Sequence, residues 1–248
     1  MHFKANSGHI GCSLSCIDII ITILKFAKDP DDTFILSKGH AASALYTALN
    51  DVGEISNEEI DTFYKNATTL PAHPAPLKFS GIPFATGSLG HGFPIATGIA
   101  KAQKLKSKEH TSFVLMSDGE TNEGTTWEAA HFAVANKLDN LIVIIDKNGL
   151  QGFGDTQKIL GDTASKIIWE NIGFETIEID GHDIAGIQKN IHSLKKNKNG
   201  KPKLIIANTV KGKGVGYMEN QMEWHYLPMN ETQYNQALED ITVQYKNE

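Results

Sequence analysis

The sequence predicts an α/β protein: a doubly wound, mostly parallel sheet with helices on both faces. Three observations point there. Phe113 to Met116 and Leu141 to Ile145 are short apolar runs, and between them Trp127, Ala130, Val134 and Leu138 recur at three- and four-residue steps. Such steps mark one buried helix face, and a strand–helix–strand unit implies parallel pairing through a crossover helix. Helix and strand patterns keep alternating after Gly154, as such a sheet requires. Polar residues gather where the two central strands end, at Ser117-Asp118-Gly119 and Asp146-Lys147-Asn148. In open parallel sheets that edge binds ligands.

Taken in order, the chain opens with Ser7-Gly8-His9-Ile10-Gly11 ahead of a helical apolar run from Leu14 to Phe26. Thr33 to Leu36 reads as a strand, followed by Ser37-Lys38-Gly39-His40 and a helix from Ala41 to Leu49. Ser56-Asn57-Glu58-Glu59 has the form of a capping box. Two prolines stiffen the loop Leu70-Pro71-Ala72-His73-Pro74. The stretch Ala85-Thr86-Gly87-Ser88-Leu89-Gly90-His91-Gly92 precedes a small-residue helix to about Leu105. Glycines before a helix suggest close backbone approach to a flat or anionic ligand.

Beyond the central unit come a helix from Ala164 to Glu170, a strand from Phe174 to Ile179, a helix from Ile184 to Leu194 and a strand from Lys203 to Thr209. Asn197 to Lys201 is a solvated loop. Lys211-Gly212-Lys213-Gly214-Val215-Gly216 resembles a nucleotide motif, but it follows the last strand and opens no helix, so the required context is missing. Asn230 to Tyr245 closes the chain as a capped amphipathic helix. With no repeat and no linker, residues 1–248 read as one domain, 211–248 forming a C-terminal loop and helix.

Composition narrows the function. Of 248 residues 40% are hydrophobic, enough for a core, and no apolar run reaches membrane-spanning length. The net charge is -6 without a basic cluster, which argues against nucleic acid. All 23 basic residues are lysine, so the chain lacks the guanidinium fork that grips phosphates in two places. The opening MHFKANSGH has no apolar signal core. Cys12 and Cys16 are too close for a useful disulfide and, by themselves, too few for zinc. A cytoplasmic protein is expected.

Asp118 and Asn148 each follow one of two neighbouring strands, so parallel pairing brings a carboxylate and an amide oxygen to one place. Oxygen donors of this kind suit a hard cation that takes its remaining ligands from phosphate and water. Each piece alone reads first as a turn; their placement one crossover unit apart favours a metal–diphosphate site.

At these residues the chain resembles the thiamine diphosphate-binding half of transketolases, over nearly its whole length. Ser117-Asp118-Gly119 with Lys147-Asn148 is similar to the family's Gly-Asp-Gly and Asn-Asn motif, Ser117 and Lys147 being departures. Residues 7–11 look like its Ser-Gly-His-Pro-Gly with Ile10 for proline, and Ser37 to His40 like its Ser-x-Gly-His. Residues 71–74 resemble Pro-Gly-His-Pro, and 86–92 resemble Thr-Gly-Pro-Leu-Gly-Gln-Gly with Ser88 and His91 substituted. Trp224-His225 looks like the late Val-His-Gly segment, with Tyr226 for the glycine. Family members usually carry a helix ahead of the first motif, so the resemblance leaves open either a shortened sequence or a late start here.

The resemblance implies a thiamine diphosphate-binding fold, with Asp118, Asn148 and the Leu150 carbonyl holding Mg2+, or Ca2+ or Mn2+ in its place. His40, Gly119, Asn148 and His225 would surround the diphosphate, and Gly87, Ser88 and Leu89 would meet the thiamine. His9, His73 and His225 would contact substrate oxygens. Glu123 would either couple paired active sites or serve as a first-turn glutamate favoured by the helix dipole. The family's activating glutamate and most of its phosphate-gripping arginines lie in a pyrimidine-binding domain that this chain does not resemble. A split transketolase is therefore implied, an A2B2 assembly with a separate pyrimidine-domain chain, acting on sugars or sugar phosphates. The α subunit of a 2-oxo acid dehydrogenase and a non-catalytic thiamine diphosphate-binding protein stay open as alternatives.

Overall fold

The computed structural model describes residues 1–247, with side chains described to residue 243; Glu248, the end of the expected domain, lies outside the described residues. The chain begins with α1 (His2–Ala5), α2 (Ile10–Leu14) and α3 (Ile17–Thr22), the last running on as a π-helical turn, Ile23–Ala27. Strand β1 (Thr33–Leu36) leads through a 3-10 turn, Gly39–Ala41, into α4 (Ala42–Asp51) and then α5 (Asn57–Ile60). The expected capping box opens α5: Glu59 N donates to Ser56 Oγ and Ser56 N to the Glu59 carboxylate.

An irregular stretch connects α5 to α6 (Gly92–Leu105), β2 (Ser112–Ser117), α7 (Gly124–Ala135) and β3 (Leu141–Lys147). A small antiparallel hairpin follows, β4 (Leu150–Gln151) with β5 (Gly154–Asp155), then α8 (Thr156–Leu160) and α9 (Lys166–Ile172). Strand β6 (Glu175–Asp180), α10 (Ile184–Lys196), β7 (Lys203–Asn208) and α11 (Glu231–Asn247) complete the order. Asn230 caps α11: Gln233 N donates to its Oδ1 at 2.9 Å.

Five strands pair in parallel in the order β1-β2-β3-β7-β6. Because side chains alternate across a strand, the apolar runs feed two cores. Leu36, Leu115, Ile144 and Ile205 pack with α3, α4 and α10 on one face. Ile35, Val114, Val143 and Leu204 pack with α6, α7 and α9 on the other. That is the expected doubly covered sheet; β1, β2, β3 and β7 are apolar on both sides and read as unbroken runs, while the edge strand β6 alternates with exposed Glu178 and Asp180. Among the described residues no helix is long and apolar enough to cross a membrane.

Local departures have local causes. The expected helix from Leu14 to Phe26 breaks at Ser15 and Cys16, where the buried Ser15 hydroxyl donates to Asp146 at 2.6 Å. Leu138 is buried but lies beyond α7, whose buried side chains are Thr126, Ala129, Ala130 and Ala133. A third cluster of Val215, Met218, Trp224, Met229 and Ala237 packs against Phe3, Ile10 and Leu14. It folds the C-terminal segment back over the start of the chain, which sets His225 near His9.

Candidate functional site

Register places Ser117 beside Asp146 at the carboxyl ends of β2 and β3. The chain turns there, and Asp118 N donates to the Asp146 carbonyl at 3.2 Å, tying the two tips together. Asp118 is 2% exposed. Its Oδ1 accepts from Gly119 N at 2.8 Å, and its Oδ2 accepts from Gly149 N at 2.7 Å and the Thr156 hydroxyl at 3.1 Å. Burial, then the charge of Asp146, push its pKa up to about 6. A carboxylate destabilised in this way gains from a cation. Asn148 Nδ2 donates to Asp146 Oδ2 at 3.4 Å, and its Oδ1 accepts from Leu150 N at 3.1 Å. The Leu150 carbonyl accepts from the Lys211 ammonium at 3.1 Å. Carboxylate, amide and carbonyl oxygens thus line one wall, and a carbonyl already facing an ammonium suits a cation. This oxygen-only set fits Mg2+.

Four imidazoles face that wall. Ring centroids of His9 lie 5.6 Å from His40, 6.0 Å from His73 and 5.4 Å from His225, and His40 and His225 stack at 5.4 Å. Each comes from a different loop. His9 precedes α2 with φ 69°, in the left-handed region that L-residues adopt uncommonly. His40 lies in the turn after β1, His73 in the proline loop, and His225 in the 3-10 turn Met222–His225. Burial, followed by neighbouring cationic and histidine groups, lowers the pKa of His9 and holds His40 well below the ordinary value. Burial also lowers His73, and burial followed by Lys211 takes His225 down to about 3. All four shifts favour the neutral ring. Lys211 Nζ lies 3.0 Å from His225 Nδ1, which assigns the ring proton to Nε2 from the hydrogen-bond network.

Two glycines let these loops meet. A Cβ on Gly39 would sit 2.6 Å from the Thr86 carbonyl carbon, and one on Gly87, at φ 150°, 2.8 Å from His73 Cδ2. Every sequence-predicted residue except Ser88 borders one cavity of about 310 Å³: His9, His40, His73, Gly87, Leu89, Asp118, Gly119, Glu123, Asn148, Leu150 and His225. Ser88 is exposed and does not line it. Glu123 is the N-cap residue of α7, exposed at the cavity edge, and makes no side-chain capping bond.

Other residues of the site escaped the sequence reading. Lys38 and Asp146 form an ion pair with both side chains fully buried. Burial alone would depress Lys38, but Asp146 raises it; burial would raise Asp146, but Lys38 holds it below the ordinary value. Ser15 and Thr209 also donate to Asp146. Lys38 stands inside the Ser37–His40 motif, but only burial reveals its role. Glu120 is fully buried, its Oε1 accepting from the Ser37 hydroxyl and from Gly90 N at 2.8 Å, while Oε2 has no hydrogen-bond partner among the described residues. Burial pushes its pKa up to about 7. Lys211 belongs to the glycine-rich stretch that lacks the context of a nucleotide motif; its place just past the tip of β7 was the available signal. The Tyr226 hydroxyl donates to the Gly152 carbonyl and closes the lip of the cavity.

Residues 2–247 match the family described as transketolase, thiamine diphosphate binding domain. The chain is 36% identical to one subunit of the apulose-4-phosphate transketolase of Phocaeicola vulgatus, over 97% of this chain and 88% of that protein. It is 35% identical to the 6-deoxy-6-sulfo-D-fructose transketolase subunit SqwG of a Clostridium species, over 96% and 90%. Among solved structures, the transketolase of Campylobacter jejuni matches with a TM-score of 0.85 and 33% identity, over 96% of this chain but 40% of that one.

Proposed function

The chain belongs to the transketolase family through its thiamine diphosphate-binding domain, and from that premise we propose that it is the diphosphate-binding subunit of a split, two-chain transketolase. The enzyme transfers a two-carbon ketol unit from a ketose or ketose phosphate to an aldose acceptor. One observation carries this reading: the oxygen wall of Asp118, Asn148 and Leu150 and the four-histidine cluster share a single cavity. When bound, thiamine diphosphate supplies a carbanion nucleophile.

This chain's residues hold and orient. Asp118, Asn148 and the Leu150 carbonyl take Mg2+, for which Ca2+ or Mn2+ can stand in, and Gly119, His40 and His225 face the diphosphate. Gly87 and Leu89 meet the thiamine. As neutral rings, His9, His73 and His225 can donate to or accept from sugar hydroxyls and pass a proton between them. Three imidazoles within 6.0 Å of His9 suit a polyhydroxylated substrate better than a 2-oxo acid, which favours ketol transfer over the dehydrogenase alternative. Residues 1–248 act as one diphosphate-binding domain.

Two facts support a second chain. The match covers only 40% of the Campylobacter transketolase but 88% of the Phocaeicola relative, whose name marks it as one subunit of its enzyme. Large apolar side chains also stand in solvent, Phe153 at 89% exposure on the lip of the cavity and Ile167 at 67%. A pyrimidine-domain chain covering this side in an A2B2 assembly would complete the pocket. The two free buried cysteines are consistent with a reducing, cytoplasmic setting. The deciding experiment assays the purified chain for ketol transfer with thiamine diphosphate, Mg2+ and several ketose phosphates. Activity should appear only on adding the second chain, and robust turnover by the lone chain would overturn the split-enzyme reading.

A further inference from the structure

Two cysteines alone are too few for zinc, but the fold sets two distant histidines beside one of them. Cys12 Sγ lies 3.6 Å from His225 Nδ1. One ligand atom from each of Cys12, His40 and His225 lies within 4.8 Å of the other two. These residues come from α2, the turn after β1 and the C-terminal 3-10 turn, so no sequence spacing announces the set. We propose that Cys12, His40 and His225 form a soft-metal site, for Zn2+ or a cation of similar chemistry, whose occupation excludes thiamine diphosphate from the pocket. The proposal rests on the proposed function only for the identity of the competitor.

Donor chemistry separates this site from the oxygen wall. Thiolate and imidazole nitrogen suit Zn2+, whereas Asp118, Asn148 and the Leu150 carbonyl suit a hard ion. His40 and His225 line the cavity and Cys12 is buried beside them, so the pocket and its floor offer two cation positions of opposite preference. Tetrahedral bonds of about 2.0–2.3 Å set ligand atoms roughly 3.5 Å apart, a small contraction of the observed cluster. Binding breaks the Cys12 S–H bond and forms a metal–sulfur bond, releasing one proton to solvent per ion. Both imidazoles offer a nitrogen lone pair without losing a proton. Lys211 gives up its contact with His225 Nδ1 and keeps the Leu150 carbonyl as acceptor. Three protein ligands leave a fourth position open for water. Because His40 and His225 also face the diphosphate in the proposed function, the ion and the cofactor cannot share them.

The test uses the full chain free of cofactor and Co2+ as the probe, because a thiolate ligand gives Co2+ an intense near-ultraviolet absorption that oxygen ligands do not. The band should appear with one Co2+ per chain and vanish when Zn2+ displaces it. Saturating Mg2+ and thiamine diphosphate should weaken Co2+ binding by about tenfold or more. Cys12→Ser should lose the band while its Mg2+-dependent cofactor affinity stays within about twofold of the parent. Absence of the band in the parent, its persistence in Cys12→Ser, or indifference of Co2+ binding to bound cofactor would each overturn the proposal. Calorimetry showing that the chain fails to bind thiamine diphosphate even with its second subunit present counts instead against the proposed function, so the two failures are distinct.

Discussion

Asp118 holds its surroundings together as well as facing the expected cation. Truncation to alanine strips acceptors from Gly119 N, Gly149 N and the Thr156 hydroxyl, and each buried group left unpaired costs about 1–3 kcal/mol. Asp118→Asn retains one acceptor oxygen and removes the charge. It should abolish Mg2+-dependent thiamine diphosphate binding in calorimetry while lowering the melting temperature less than Asp118→Ala, since one oxygen still accepts, and unchanged affinity would refute the metal assignment. Its pKa near 6 also predicts that Mg2+ affinity falls as pH drops through that value, because a proton then occupies the ligand. Glu120 makes a different prediction. Its folded pKa of about 7 exceeds the ordinary 4.5, so the native protein keeps a proton that the unfolded chain releases between those values. The stability this group contributes is full below pH 4.5 and declines as pH rises to about 7. Glu120→Gln should flatten that decline in thermal melts from pH 5 to 8, and an unaltered slope would assign it elsewhere. Asp118 and Asn148 were legible because oxygen donors at two strand tips form a pattern along the chain. Glu120 was not: it differs from a surface glutamate only in what covers it.

At the scale of elements, the Lys38–Asp146 pair joins the turn after β1 to the tip of β3 and anchors Asn148 through Asp146 Oδ2. Lys38→Met strands a buried carboxylate, a change that costs about 3–5 kcal/mol. Pairing it with Asp146→Asn removes the stranded charge while keeping an acceptor for Ser15 or Thr209. In denaturant titrations the double variant should recover much of the stability lost by Lys38→Met. A double variant no more stable than the single one would mean that the charge was not the problem. The central strands were readable because buried parallel strands are short apolar runs and the edge strand β6 because it alternates, and β1, β2, β3, β6 and β7 fall within two residues of expectation. The β4–β5 hairpin was invisible, since two-residue strands carry no period. The break at Ser15 was equally hidden, because a hydroxyl turned toward Asp146 answers to tertiary structure rather than to local pattern.

For the whole molecule, Phe153 at the tip of that hairpin is the most exposed large apolar side chain among the described residues. Burial under a second chain should protect residues 150–155 from hydrogen exchange when the complex forms, and unchanged exchange there would move the interface elsewhere. The order in which the pocket comes together follows from its opposite ends. His9 and His225 approach to 5.4 Å, yet nearly the whole chain separates them, and the segment carrying His225 must first fold back onto α2. On a ribosome the sheet can be complete while the pocket is still open. The wall that carries His225 is therefore the last to be added, and a cofactor gripped by all four histidines is held only after the C-terminal segment has docked.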